Sequence, residues 1–222
     1  PIAAGKLSRS EAVLLAFILF ILGFSISWIS SIKLFAVFIG YTLLQLIYCI
    51  KVKHIPVLEL VSIASGFLLR AFGGALNAGL ELSQWFVLCV GLLSIFLAIE
   101  KRKAELIRSQ ENNLYTREVI KSYSRELLLR MESTVTTSAF ICYSLWASSP
   151  SMNSWMIITS PLVLAGIFRY QFISNPFDNN KSGSKRNSKI SERPEEVLLK
   201  DKTIQIIIIL WSFSVFIIGN YA

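Results

Sequence analysis

Seven apolar runs of 16 to 21 residues recur along the chain, at 12–28, 34–50, 56–76, 83–99, 133–148, 155–173 and 203–221. A helix needs about 20 mainly apolar residues to cross a bilayer core, because each residue rises only about 1.5 Å. Only a helix or a closed barrel satisfies its backbone polar groups without water, and runs this long point to helices. The chain is therefore expected to be an all-α integral membrane protein, a multi-helix transmembrane bundle with about seven spans. Composition agrees: 54% of the 222 residues are hydrophobic and 16% charged, where a soluble domain is about a quarter charged. That excludes a water-soluble globule and a disordered chain.

The charges that remain are unevenly placed. There are 22 Lys plus Arg against 14 Asp plus Glu. Alternate connections, holding Lys6 and Arg9, Lys51 and Lys53, the stretch 100–131, and the stretch 175–202, carry 19 basic residues. The opposite connections carry Lys33 alone, while Arg70 and Arg169 fall inside spans. Loops rich in Lys and Arg stay cytoplasmic, so the N-terminus is expected in the cytoplasm and the C-terminus on the other side. Because topology explains the basic residues, no nucleic-acid partner is expected.

Two of the basic connections differ in kind. The Asn-, Ser- and Lys-rich stretch 175–193 reads as a flexible cytoplasmic loop. Residues 100–131 read as a cytoplasmic helical connection. Leu97, Lys101, Ala104, Glu105 and Arg108 fall at helical spacing, which carries the fourth span past the membrane. Lys101 and Glu105 form an i,i+4 pair in the weaker order. A second helix is expected to restart near Thr116 and to carry Tyr123, Ser124 and Glu126. A solvated hairpin with self-neutralising charges is the plainer alternative.

Charges at bilayer depth cost several kcal/mol unless paired or facing water. Glu59 and Arg70 lie eleven residues apart, about three turns, so they are candidates to line one polar cavity. Arg169 lies near the cytoplasmic end of the sixth span, where it either snorkels to headgroups or joins Lys53 around an anion. An arginine fork suits a bidentate phosphate contact. Other chemistries are poorly served. There is no P-loop, GxSxG or HExxH pattern, and His54 is the one histidine. Cys49, Cys89 and Cys142 are far apart within apolar runs, which suggests neither a zinc site nor a redox pair. The two aspartates, Asp178 and Asp201, make no cluster for a divalent cation.

Several blocks together resemble the UbiA-type membrane prenyltransferase superfamily, most closely its decaprenyl-phosphate phosphoribosyltransferase branch. PIAAGKLS at 1–8 resembles the RPIAAGxLS stretch, and KHIPVLE at 53–59 resembles LKHxxxLD with Glu59 in place of Asp. GFLLRA at 66–71 is similar to GFVLRA, and EKRKAEL at 100–106 with Tyr123-Ser124 is similar to KRRxEL and YS. GIFRY at 166–170 and PEEVLLKD at 194–201 complete the likeness.

The resemblance implies a nine-helix fold with an NDxxDxxxD motif between helices two and three. Residue 1 would fall just after that motif. The chain is then expected to be one transmembrane domain over 1–222, truncated at its N-terminus, lacking two helices and inactive alone. It implies Mg²⁺ held by aspartates upstream of Pro1, with no metal ligand within the chain and no catalytic residue yet assignable. It further implies transfer of a 5-phosphoribosyl group from phosphoribosyl diphosphate to a polyprenyl phosphate, in a bacterial plasma or inner membrane. Lys53, Arg70, Lys101, Arg102 and Arg169 would bind phosphate, while Glu59, Glu105 and Tyr123 would orient them or contact ribose. A homo-oligomer is left open. Two rivals stand: prenyl transfer to an aromatic acceptor, and a transporter or non-catalytic membrane protein with Glu59 and Arg70 along a permeation path.

Overall fold

The computed structural model describes residues 5, 8–112, 118–149, 152–174 and 199–220. Among the described residues, seven full α-helices follow one another and there is no strand. α1 is Arg9–Ser30, α2 Ile32–Ile50, α3 Leu58–Ala78, α4 Gln84–Asn112, α5 Arg125–Ala147, α6 Ser160–Ser174 and α7 Lys202–Asn220. Short 3₁₀ turns at Val52–His54, Glu118–Ser122 and Ser154–Thr159 punctuate them.

Local chemistry sets the ends. Ser8 accepts the Glu11 N–H at 3.3 Å while Glu11 Oε2 accepts the Ser8 N–H at 2.9 Å, a reciprocal cap on α1. Ser31 alone separates α1 from α2 and caps the second through the Leu34 N–H at 3.0 Å. Gly79 ends α3 at φ 66°, a conformation that suits a residue without Cβ. Pro161 lacks an N–H and sits in the first turn of α6, where that donor has no helical partner. The run 155–173, read as a single span, is accordingly built from a 3₁₀ turn continued by an α-helix, and Ser154–Ser174 remains one stretch of spanning length.

Among the described residues, six helical segments are long and apolar enough to cross a membrane: Arg9–Ser30, Ile32–Ile50, Leu58–Ala78, Gln84–Gln110, Ser154–Ser174 and Lys202–Asn220. The seventh helix, α5, has 23 residues but carries Arg125, Glu126, Arg130 and Glu132 in its first half. The protein is a multi-pass membrane protein. Its large exposed apolar side chains, dense on α1 and α7, fit lipid rather than water. Chain neighbours pack in order, α1 on α2 through α3, α4, α5, α6 and α7. Phe24 and Trp28 meet Phe35 edge-on at 5.0 and 4.9 Å, joining α1 to α2. Small residues at Gly66 and Gly73 let α3 approach Tyr41 and Leu34 of α2.

The connection after α4 departs from its expected form. α4 continues well beyond the apolar run, as its spacing indicates. Tyr123 and Ser124, however, are not helical; Ser124 is the cap of α5, accepting the Leu127 N–H at 3.1 Å. A serine oxygen satisfies an otherwise orphaned N–H better from outside the helix than within it. Nor is this connection a solvated hairpin: Val119, Ile120, Tyr123 and Leu128 are buried with Leu60, Ala98, Ile99 and Leu106. Thr116 and the loop 175–193 lie outside the described residues.

Candidate functional site

α3 and α4 build the site between them. Glu59 lies in the first turn of α3 and is fully buried. Opposite it on α4, the equally buried Arg102 places Nε 3.0 Å from Glu59 Oε1. Its Nη1 pairs with Glu105, one turn further along α4. The sequence pairing of Glu105 with Lys101 is thus replaced by Arg102 at i,i+3, because α3 anchors Arg102 beside that carboxylate. Two carboxylates around one guanidinium fix its plane. Burial makes the arrangement expensive to open, since removing one partner strands a charge away from water.

Tyr123 completes this corner. Its hydroxyl accepts the Val57 N–H at 2.7 Å. Burial is the main cause that pushes the Tyr123 phenol above its ordinary range; Glu59 adds to it and the Val57 N–H opposes it. Val57 itself has φ 67° and ψ −48°, and the Leu58 N–H bonds back to the Pro56 carbonyl at 2.8 Å. That is a positive-φ γ-turn on a β-branched residue, a strained backbone worth about 1–3 kcal/mol.

A cavity of about 490 Å³ opens between α2, α3 and α4, with Arg70, Lys101 and Arg102 in its lining. Gln45, Tyr48, Ser62 and Ser94 supply neutral polar groups there. Arg70 donates to the Tyr41 hydroxyl and lies 5.1 Å from the Tyr41 ring and 5.2 Å from the Phe67 ring. The Gln45 amide donates to the same hydroxyl at 2.9 Å. Neither Arg70 nor Lys101 has a carboxylate partner among the described residues. With Arg102 flanked by Glu59 and Glu105, three cations face two carboxylates, which leaves one net positive charge beside the cavity. Such a site can take an anionic, oxygen-rich group.

The structure therefore unites three of the five expected phosphate ligands. Glu59 does not line the cavity with Arg70, as their shared face suggests; it is sealed behind Arg102. Lys53 is half-buried in the 3₁₀ turn Val52–His54, outside the cavity lining. Arg169 is also elsewhere, with Nε 3.2 Å from Asp201 Oδ1 and Nη2 2.8 Å from Oδ2. This fork holds the Asp201 carboxyl below its usual range.

Sequence reasoning missed the opposite side of α4. Lys103 is buried and pairs with Glu100 at 2.8 Å and with Glu132 of α5. The Gln171 amide of α6 donates to Glu132 at 2.8 Å. The i,i+3 spacing of Glu100 and Lys103 carried a trace of this, whereas Glu132 and Gln171 are brought in by tertiary packing alone. The residues offer little to a metal ion. Glu59, Glu100, Glu105, Glu132 and Asp201 are each engaged by Arg or Lys, and no three His, Cys, Asp or Glu side chains converge among the described residues. This donor set does not fit a bound cation.

The chain is 33% identical over 222 residues to the decaprenyl-phosphate phosphoribosyltransferase of Mycolicibacterium smegmatis, covering 95% of this chain and 66% of that protein. It is 32% identical to the protein of that name from Corynebacterium glutamicum, covering 97% of this chain and 63% of the relative. The Mycobacterium tuberculosis counterpart is 28% identical over 217 residues, with 97% and 68% covered. The chain thus spans about two thirds of the length of these curated relatives. Residues 1–190 match the description "UbiA prenyltransferase family". On that match and these relatives, the chain belongs to the UbiA prenyltransferase family.

Proposed function

We propose that this protein acts in transferring a 5-phosphoribosyl group from phosphoribosyl diphosphate to a polyprenyl phosphate, with decaprenyl phosphate the lipid suggested by its relatives' names. The observation that carries the reading is the cavity holding Arg70 and Lys101 without carboxylate partners beside the clamped Arg102. An uncompensated cation inside a span, as Arg70 is, is costly unless it meets water or an anion. A diphosphate on a sugar and a phosphate on a lipid both supply that anion.

In this reading, Arg70, Lys101 and Arg102 bind phosphate oxygens. A lipid phosphate oxygen attacks the anomeric carbon, the carbon–oxygen bond to the diphosphate breaks, and pyrophosphate leaves with the bonding pair. Preorganised cations favour that charge build-up on the leaving group. Glu105, half-buried beside Arg102 and outside the cavity lining, is proposed to accept from ribose hydroxyls that reach past Arg102, while Glu59 and Tyr123 orient the guanidinium. Lys53 and Arg169 are proposed as outlying contacts that guide the anions. Mg²⁺ belongs in the reaction mixture, but no described residue set is assigned to it and no step is routed through it. Residues 1–222 are read as one transmembrane domain. The 19-to-1 distribution of basic residues supports a cytoplasmic N-terminus in a bacterial cell membrane.

The test is direct. The complete gene product in lipid nanodiscs is supplied with decaprenyl phosphate, Mg²⁺ and labelled phosphoribosyl diphosphate. Lipid-linked ribose phosphate is the expected product. Its absence, with turnover of a prenyl diphosphate onto an aromatic acceptor instead, would replace this reading with prenyl transfer.

A further inference from the structure

The γ-turn at Val57 is a strained, non-glycine conformation in a chain whose other described positive-φ residues are Gly5 and Gly79. Strain of this kind persists only where its surroundings over-determine it. Here the surroundings are specific. The Val57 N–H is tied to the Tyr123 hydroxyl at 2.7 Å, and Tyr123 is 4% exposed, locked among Leu60, Ile99, Ile120 and Leu128. Two residues on from Val57, Glu59 reaches Arg102 Nε at 3.0 Å. One hydroxyl therefore holds the turn from which, two residues on, Glu59 is presented to Arg102.

We propose that Tyr123 is a positioning residue: its hydroxyl props the γ-turn at Val57, and through Glu59 this sets where the Arg102 guanidinium stands in the cavity. The assignment rests on the reading of that cavity as a phosphate site. Without the hydroxyl, Val57 relaxes towards negative φ, the first turn of α3 rotates, and Glu59 no longer faces Arg102 Nε. Tyr123 needs no contact with substrate for this. The connection after α4 would thereby act on the site from behind it.

The test is a two-by-two set in the complete protein: wild type, Tyr123→Phe, Val57→Gly and the double variant. Thermal unfolding without ligand and equilibrium binding of phosphoribosyl diphosphate are both read. Tyr123→Phe is expected to weaken binding roughly tenfold, the scale of losing one strained, hydrogen-bonded geometry. Val57→Gly in the Tyr123→Phe background is expected to recover most of that loss, because glycine adopts φ near +67° without a Cβ clash. It is also expected to offset the fall in unfolding temperature. Unchanged binding in Tyr123→Phe would overturn the proposal. So would a loss that Val57→Gly leaves in place, which would mean that Tyr123 touches the ligand itself. The site reading fails separately, through wild type and Arg102→Lys both binding no phosphoribosyl diphosphate. In that outcome the coupling of Val57 and Tyr123 in unfolding temperature still decides the strut, and additive effects would reject it.

Discussion

Lys101 and Lys103 stand two residues apart on α4 and meet opposite surroundings. Lys103 is buried between Glu100 and Glu132, with Gln171 closing the group, so its charge is spent on holding α4, α5 and α6 together. Lys101 is half-buried on the wall of the 490 Å³ cavity and has no ion-pair partner among the described residues. Between them, Arg102 is anchored by two carboxylates yet still borders the cavity. Successive positions on a helix step about 100° around its axis, so one short basic run serves a sealed seam, a clamped ligand and an open one. Residue type does not separate these roles; the carboxylates that α3 and α5 bring to each face do.

The strongest way to break the comparison is to remove the sealed charge. Lys103→Met leaves Glu100 and Glu132 facing each other away from water, and is expected to destabilise the protein by about 3–5 kcal/mol. Thermal unfolding in detergent measures it. Adding Glu100→Leu and Glu132→Leu should recover most of the loss, because an apolar replacement of a buried ion group is often neutral or better. If Lys103→Met alone unfolds like wild type, the seam is not the structural element it is taken to be.

Lys101→Ala should do the reverse. Its effect on stability is expected within about 0.5 kcal/mol, as for other substitutions that break no buried contact. Its effect on phosphoribosyl diphosphate affinity is expected to be roughly tenfold, the loss of one charged hydrogen bond. Titration calorimetry beside a thermal melt separates the two quantities. Equal affinity in the variant and wild type would remove Lys101 from the site.

The sequence carried one half of this contrast and not the other. Span lengths are legible because the bilayer imposes a fixed number of apolar residues, and the extension of α4 is legible because Leu97, Lys101, Ala104, Glu105 and Arg108 repeat with a helical period. Arg70 was likewise recognisable as a cation inside a span, whereas Lys101 and Arg102, in a basic connection that topology explains, were singled out by the family resemblance alone. Partner choice is what spacing cannot supply. Glu105 goes to Arg102 rather than Lys101 because Glu59, forty-three residues away in the chain, already holds that guanidinium. Glu132 reaches Lys103 from another helix, and Tyr123 leaves the helix expected of it because Ser124 is the better cap and the core accepts its ring. Arg169 shows the same limit, since its partner Asp201 lies across a long connection.

Arg169 and Asp201 also give the weakest and most controlled extension of the comparison, a bidentate pair that is partly exposed rather than sealed. Asp201 Oδ1 additionally accepts the Ile204 N–H at 2.8 Å, so it caps α7. Exposed ion pairs contribute little by themselves. The expected loss for Asp201→Asn is therefore below about 1 kcal/mol, because asparagine still caps the helix and only the charge is removed. The pH dependence is the sharper readout. Arg169 holds the Asp201 carboxyl below its ordinary range, so the folded protein releases this proton more readily than the unfolded chain does. The stabilisation is fully present above the unfolded carboxyl's value of about 3.9 and fades as pH falls through the lower folded value. Unfolding temperatures measured from pH 6 down to pH 3 should converge for Asp201→Asn and wild type at the acid end and separate slightly above it. A separation that instead grew on acidification would mean that the pair does not stabilise the fold through its charge.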